Sequence, residues 1–372
     1  MTEPTPPASA PSPAVVSPAE VVARTGGPGG TALTALAALC VGLLLVVTVA
    51  GREVHAAPVW LAVPVLLLPY LYAACAAGLF TVWTALPDRR LPPGLLVVVL
   101  CVGAALWGPG WAARGAGETA GEPLRVLSWN VRRLWGGNDD DGAPLACAVR
   151  AIEAADPDVI TLLEVSRRDL DALSAELGLT CVHATYAGST RMEHGGLASC
   201  VRGENWTLRS GGPQRFTDDV AWFYVSAEVE RRGRVVNLLA VHLRPYHLRG
   251  LDPARFGLRA ATELQETYRS QGDQSAALLH RVERFVDPTL VAGDFNSTRD
   301  TALHVALRRH LTDAWERGGF GFGATVDVLG RLPLRIDYVY SSDDFAVLGA
   351  SVPAVGCSDH MPVVADLVLE PQ

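Results

Sequence analysis

Hydrophobic positions are distributed in two different ways along this chain. Between residues 31 and 113 they form three long uncharged runs, at 31–50, 56–86 and 91–113. Each is about long enough to cross a hydrocarbon core of ~30 Å as a helix, whose internal hydrogen bonds satisfy the backbone away from water. Buried core helices could also be this apolar, but three such runs in succession predict a three-helix transmembrane anchor over 31–113. Residues 1–30 are rich in Pro, Ala, Ser and Gly and poor in large apolar side chains. They cannot offset the entropy of ordering and read as a disordered tail. A cleaved signal peptide fits poorly, because no basic stretch precedes Thr31 and two further runs follow the first.

After a linker at 114–123 the apolar runs become short and alternate with helical spacing. Strands are predicted at 124–129, 159–163, 181–185, 197–202, 222–228, 235–242, 289–292, 336–340 and 363–369. Helices are predicted at 143–155, 170–177, 275–284 and 302–310, the first stopped by Asp156-Pro157 and the second by Gly178. Strands at 124–129 and 159–163 are continuous apolar runs, the pattern of strands buried on both faces. Strands interleaved with helices predict an α/β layered domain over 124–372.

Composition adds charge and redox context. Hydrophobic residues make up 49% of 372 and mean hydropathy is +0.22, an excess concentrated at the front. There is no lysine; with Ala, Gly and Pro abundant, the all-arginine basic set reflects a GC-rich genome rather than phosphate recognition. In 1–113, Arg24, Arg52, Arg89 and Arg90 cancel Glu3, Glu20, Glu53 and Asp88, so the remaining domain holds all of the −8 net charge. An acidic domain has no general attraction for nucleic acid backbones, although a local arginine patch could override the total.

Three spans put the domain on the opposite side from the N-terminus. With Pro87-Asp88-Arg89-Arg90, the most basic short connection, in the cytoplasm, the domain lies outside; Arg52, Arg114 and Arg125 on the outer flank weaken this bias. Cys40, Cys75 and Cys101 lie in the apolar runs and read as small packing residues. Cys147, Cys181, Cys200 and Cys357 lie in the domain, where an even number permits disulfides outside the cell. Cys181 and Cys200 sit on two apolar runs that could be neighbouring strands. A bridge and a pair of buried thiols both stay open there.

Residues with metal or phosphate chemistry recur where strands end: Ser128-Trp129-Asn130, Leu163-Glu164, Val241-His242-Leu243, Gly293-Asp294-Phe295-Asn296-Ser297, Arg335-Ile336-Asp337-Tyr338 and Ser358-Asp359-His360-Met361-Pro362. Singly each has an ordinary reading. An Asn after a strand is usually a turn residue, Glu164 a strand end reaching solvent, His242 a structural histidine and Asp294–Asn296 an Asx turn. Strand alternation would put Asp294 and Asn296 on one face with Phe295 opposite. Together they supply carboxylates for a hard cation, histidines beside acids and a polar cradle for an anionic oxygen, which is what metal-assisted attack of water on a phosphate ester needs.

In this order the segments resemble the endonuclease/exonuclease/phosphatase (DNase I-like) superfamily, over about 124–369. The resemblance implies a four-layer sandwich, two packed β-sheets flanked by helices. It implies Mg²⁺, or Mn²⁺, held by Glu164 with Asn130 and Asp359 completing the metal site. It places His242 against the scissile phosphate or its leaving oxygen, Asn296 on the phosphoryl oxygens and Asp294 orienting or protonating at the reacting centre. Asp337 would hold His360 in the right tautomer, and His360 would act as general base on water.

Between His242 and the helix at 275 lies an insertion at 243–273 with Arg244, His247, Arg249, Arg255, Arg259 and Arg269 among Tyr246, Leu248, Leu251, Phe256 and Leu258. It is either a solvated loop and helix in which Glu263 and Glu266 partner the arginines, or a rim that grips an anionic, partly apolar substrate. The layout of three spans with the domain outside is similar to actinobacterial glycopeptide-resistance-associated members of the superfamily. That implies a cell-membrane, multi-pass enzyme whose partners are the bilayer and a phosphorylated lipid such as undecaprenyl pyrophosphate. A surface-tethered nuclease would need a basic, aromatic groove, against which the acidic domain argues. A sphingomyelinase-like phospholipase and an inactive binding module are the other readings.

Overall fold

The computed structural model describes residues 28–54, 59–85, 93–108, 120–132, 143–186, 195–217, 222–245, 258–328 and 332–371. The apolar front forms four helices: α1 (Pro28–Glu53), α2 (Val59–Leu66), α3 (Leu68–Ala85) and α4 (Pro93–Trp107). The three-span expectation is corrected here. Among the described residues only Ala32–Glu53, 22 residues, is long and apolar enough to cross a membrane; Leu68–Thr84 and Pro93–Trp107 are shorter. At 1.5 Å per residue the 15 residues of α4 reach about 22 Å, short of a ~30 Å core. The run at 56–86 is interrupted at Leu67 between α2 and α3. Pro69 has no N–H with which to continue the helical ladder, and its ring disfavours a helical residue before it.

α1 buries Val41, Leu44 and Val47 against α2–α4 and leaves Leu36, Leu39, Leu43, Val46 and Val49 exposed. The same apolar cluster takes in Leu264 and Tyr268 of the following domain.

In that domain, alternation within single strands decides the layers. Along β1 (Glu122–Asn130), Leu124 and Val126 face a core between two sheets, while Leu127 and Trp129 face helices. The first sheet runs β13 (Phe345–Ser351), β14 (Val363–Leu369), β1, β2 (Val159–Leu163), β4 (Gly196–Arg202), β3 (Leu179–Thr185). The second runs β5 (Thr207–Arg215), β6 (Phe223–Arg231), β7 (Arg234–His242), β8 (Thr289–Asp294), β12 (Asp337–Ser341), β9 (Thr312–Asp313). A hairpin of β10 (Val326–Val328) and β11 (Leu332–Leu334) lies beside them.

Outside the first sheet, Leu127, Ile160 and Leu162 pack with Ile152 of α5 (Ala143–Ala155) and with Leu170 and Leu173 of α6 (Arg167–Leu177). Outside the second, Leu239, Val291 and Phe295 pack with Leu278 of α7 (Leu258–Val282) and Leu303 and Leu307 of α8 (Ala302–Leu307). The short α9 (Ala314–Gly318) follows β9. Two packed mixed sheets flanked by helices are thus the observed architecture.

Each sheet holds one parallel pair made by a helical crossover: β1 with β2 through α5, and β7 with β8 through α7. The carboxyl ends of both pairs come to the same edge of the sandwich. The domain cysteines form two disulfides. Cys181–Cys200 joins register partners on β3 and β4, and Cys147–Cys357 ties α5 to the loop before Ser358. The insertion is partly helical: α7 starts at Leu258, well before the expected 275, while 246–257, with His247, Arg249 and Arg255, lies outside the described residues.

Candidate active site

Register assembles the site. On the second sheet His242 pairs with Asp294 across β7 and β8, and Asp294 pairs with Asp337 across β8 and β12, so three functional side chains stand in one row. On the first sheet Asn130 ends β1 opposite Leu163, and Glu164 follows at φ 53°. Asn130 joins the sheets: its Nδ2 donates to Glu164 Oε1 and to Asp294 Oδ2, each at 3.1 Å. Gly293 is required where β8 enters the row, because a Cβ there would run into the Val241 carbonyl and its φ is 151°.

The strand does not carry Asn296. β8 ends at Asp294, and the chain reaches Asn296 through a positive φ of 47°, so the expected alternation is replaced by a turn. The Asn296 backbone N–H donates to Asp294 Oδ1 at 2.8 Å, and its side-chain Nδ2 donates to the Leu243 carbonyl at 2.9 Å. A primary amide has a second hydrogen to give. Phe295 does point away, into the rings of Tyr338, Tyr340 and His304.

His242 is buried, with Nε2 3.7 Å from Asp294 Oδ2 and 3.9 Å from Glu164 Oε1. Its Nδ1 lies 2.6 Å from the Tyr186 hydroxyl, and Trp222 meets the ring edge-on at 6.1 Å. Burial, then the charges of Glu164 and Asp294, push the Tyr186 phenol well above its ordinary range, so it stays protonated. The sequence reading missed Tyr186. The signal was its place just beyond the end of β3, the kind of position that Glu164 occupies after β2.

Asp337 Oδ2 lies 3.0 Å from His360 Nδ1, and Asp294 Oδ2 3.8 Å from the same atom. The Asp337 backbone N–H donates to Thr325 Oγ1 at 3.2 Å. Burial, with the Asp337 charge added, raises the Asp294 carboxyl to about 8. Burial alone would lower the His360 imidazole, but Asp337 and Asp294 outweigh it and raise it to about 10.

The terminal motif is fastened to β1. Ser358 Oγ donates to the Asn130 carbonyl at 2.7 Å and accepts from the His360 N–H, while Trp129 Nε1 donates to the His360 carbonyl at 2.9 Å. Asp359 Oδ2 is paired with Arg132, whose own N–H donates to Asn130 Oδ1 at 3.0 Å. Six expected site residues thus form one connected group: Asn130, Glu164, His242, Asp294, Asp337 and His360. Asp359 joins it through Arg132, and Asn296 through Asp294.

Hard-oxygen donors dominate this group, which suits Mg²⁺ or Mn²⁺. Asp294, Asp337 and His360 offer ligand atoms all within 4.8 Å of one another, and Asp337 Oδ1 is buried without a hydrogen-bond partner among the described residues. Asn130, joined to Glu164, reaches Asp294 at Oδ2, the same oxygen that lies 3.8 Å from His360 Nδ1. Asp294 and Asp337 converge beside two imidazoles and the Asn130 amide, an arrangement whose negative charge a cation would compensate.

The family model of the endonuclease/exonuclease/phosphatase family matches residues 127–360. The chain belongs to this family. Its matched span begins inside β1 and ends at His360, enclosing every site residue named above. Solved structures show the family fold: an endonuclease/exonuclease/phosphatase from Beutenbergia cavernae is 20% identical with a TM-score of 0.52, covering 67% of this chain and 72% of that one. ANGEL2, a 2',3'-cyclic phosphatase in complex with adenosine-2',3'-vanadate, is 16% identical with a TM-score of 0.51, covering 68% and 97%. The human Nocturnin catalytic domain with bound sulfate anion is 18% identical with a TM-score of 0.50, covering 66% and 93%. No curated protein sequence matches the chain significantly.

Proposed function

We propose that this family member is a divalent-metal-dependent phosphoesterase, held at a membrane by α1, that hydrolyses a lipid-linked phosphate or pyrophosphate such as undecaprenyl pyrophosphate. The observation that carries the chemistry is the Asn130 amide bridging Glu164 and Asp294 across the two sheets, with His242 and His360 at its flanks. The exposed apolar stripe of α1 supports the membrane, and the two disulfides support an oxidising, extracytoplasmic setting. The further likeness to glycopeptide-resistance-associated proteins rests on the sequence layout, now with one candidate span.

Glu164 and Asn130 would hold Mg²⁺, with Asp359 closing the site beside Arg132, and Asp294 and Asp337 offering further oxygens. When bound, the cation neutralises phosphate oxygens. His360, with Nδ1 engaged by Asp337, takes the proton of the attacking water at Nε2. Asp337 and Asp294 hold its imidazole up at about 10, and a cation that compensated their charge would lower it. His242, oriented by Tyr186, faces the phosphate, and the second amide hydrogen of Asn296 reaches a phosphoryl oxygen.

The substrate class is tested with full-length protein and Mg²⁺ on three substrates: undecaprenyl pyrophosphate in liposomes, a small soluble phosphate ester and supercoiled plasmid. Phosphate release from the lipid with the plasmid intact is expected. Plasmid nicking without lipid turnover would move the chain to the nucleases of its family.

A further inference from the structure

We propose that the N-terminal helices are positioning elements of the active site: Arg52, Val65 and Tyr70 brace the two segments that carry Asn296 and, through Thr325 and Val326, His360. The catalytic readout of this proposal rests on the phosphoesterase reading above.

The first brace acts on the chain just after β8. Asp300, four residues beyond Asn296, is fully buried, and neither carboxylate oxygen has a hydrogen-bond partner among the described residues. A carboxylate so placed requires a counter-charge. Arg52, at the end of α1, supplies it with NH2 at 3.7 Å from Asp300 Oδ1. Two residues earlier, Thr298 Oγ1 donates to the Val65 carbonyl at 3.4 Å. In an unbroken helix that carbonyl would accept from residue 69, but Pro69 has no N–H to give. The proline that interrupts the second apolar run therefore frees an acceptor, and the catalytic loop uses it.

The second brace acts on the His360 side. The Tyr70 hydroxyl of α3 donates to the Pro333 carbonyl at 2.6 Å. Its ring packs against Val326, Leu334 and Ile336, and meets Phe322 edge-on at 6.4 Å. Val326 forms a backbone bridge with His360. Its neighbour Thr325 accepts from the Ile336 and Asp337 N–H groups through Oγ1, each at 3.2 Å, and from the Met361 N–H through its carbonyl at 2.7 Å. The hairpin that Tyr70 clamps is thus the backbone from which the Asp337–His360 pair hangs.

A third contact runs along α7. Leu264 and Tyr268 pack in the front cluster with Val65 and Leu66. One turn further on, Gln271 Nε2 donates to the carbonyls of Arg244 at 2.8 Å and Asn296 at 3.3 Å. A simple tether needs none of this. Here the three polar contacts, at Asp300, Thr298 and Pro333, each end within four residues of Asn296 or Asp337.

The test uses full-length protein in lipid nanodiscs. Tyr70→Phe keeps the ring and removes the hydroxyl; Arg52→Gln removes the charge and Arg52→Lys restores it. Turnover of a small soluble phosphate ester and hydrogen exchange over 295–301 and 325–338 are measured for each. The brace predicts kcat lower by about ten- to a hundredfold, KM within about twofold, faster exchange in the segment next to each substitution, and recovery of most of kcat in Arg52→Lys. Unchanged kcat per folded molecule would overturn it, whatever exchange does, and would leave the helices as a tether. If the wild type turns over no phosphoester at all, the phosphoesterase reading fails, and exchange then decides alone: unchanged exchange in both segments overturns the brace.

Discussion

Asp294 and Asp337 stand directly opposite each other in register on antiparallel neighbours β8 and β12. Like charges in that position destabilise a sheet, and burial adds to the cost: the Asp294 carboxyl rises to about 8 from an ordinary value of 3.8. An acid whose value is raised by folding takes stability away as pH climbs from its unfolded value towards its folded one. Between about pH 4 and 8 the metal-free protein should therefore lose stability through this residue. Asp294→Asn should raise the unfolding midpoint in EDTA at pH 7 and lower kcat by about a hundredfold or more. A midpoint that falls in EDTA would show that the carboxylate is not strained.

Tyr186 and His242 form a second pair. Tyr186→Phe removes the hydroxyl that lies 2.6 Å from Nδ1 but leaves the ring contacts with Phe223 and Trp222 in place. The expected outcome is a fall in kcat of about tenfold with an unfolding midpoint shifted by only a few degrees. The loss should fall on kcat rather than on KM, since the ring contacts remain. An unchanged kcat would remove Tyr186 from the site.

The Cys147–Cys357 disulfide closes a sequence separation of 210 residues immediately before Ser358. Removing a native bridge from a small domain costs about 2–5 kcal/mol. Cys147→Ser should lower the unfolding midpoint and slow turnover several-fold, because Ser358 and Trp129 still hold the loop to β1. Thermal melts and kcat with and without reductant check this; a wild type indifferent to reductant in both would contradict it.

His304 is buried between Ser297 and Tyr340, with Nε2 3.0 Å from Ser297 Oγ and Nδ1 2.8 Å from the Tyr340 hydroxyl. Burial, then the charges of Arg308 and Arg335, keep it neutral well below its ordinary value of 6.5. Unfolding below that pH takes up a proton. Stability from this residue is therefore complete above about pH 6.5 and is lost as pH falls, by up to about 1.4 kcal/mol per pH unit. Unfolding midpoints between pH 7 and 5 should fall more steeply for the wild type than for His304→Gln.

The sequence made the domain legible where hydrophobic alternation and strand-end polarity coincide. β1, β2, β7 and β8 were found because each is an apolar run ending in Asn, Glu, His or Asp, and those ends are the site. β5 was missed because Thr207–Arg215 is a polar edge strand with Gly211, Gly212 and Pro213 and no alternation to read. The first half of α7 stayed open between a solvated helix and a substrate rim because Leu264 and Tyr268 pack into the cluster of the N-terminal helices, a partner that local spacing does not reveal. The three-span anchor failed on length and on one proline, which composition over a long window hides. The Cys147–Cys357 pairing, like the placing of Arg132 between Asn130 and Asp359, depends on contacts between distant segments that spacing does not encode.

Phosphate release from undecaprenyl pyrophosphate by full-length protein in liposomes, with Mg²⁺ and with EDTA, is the most direct test, run on the wild type and on His360→Ala and Glu164→Gln. Release that needs Mg²⁺ and drops by about a hundredfold or more in both variants is the predicted result. Release that persists in EDTA, or that survives both substitutions, would contradict a metal-dependent phosphoesterase centre at the meeting edge of the two sheets.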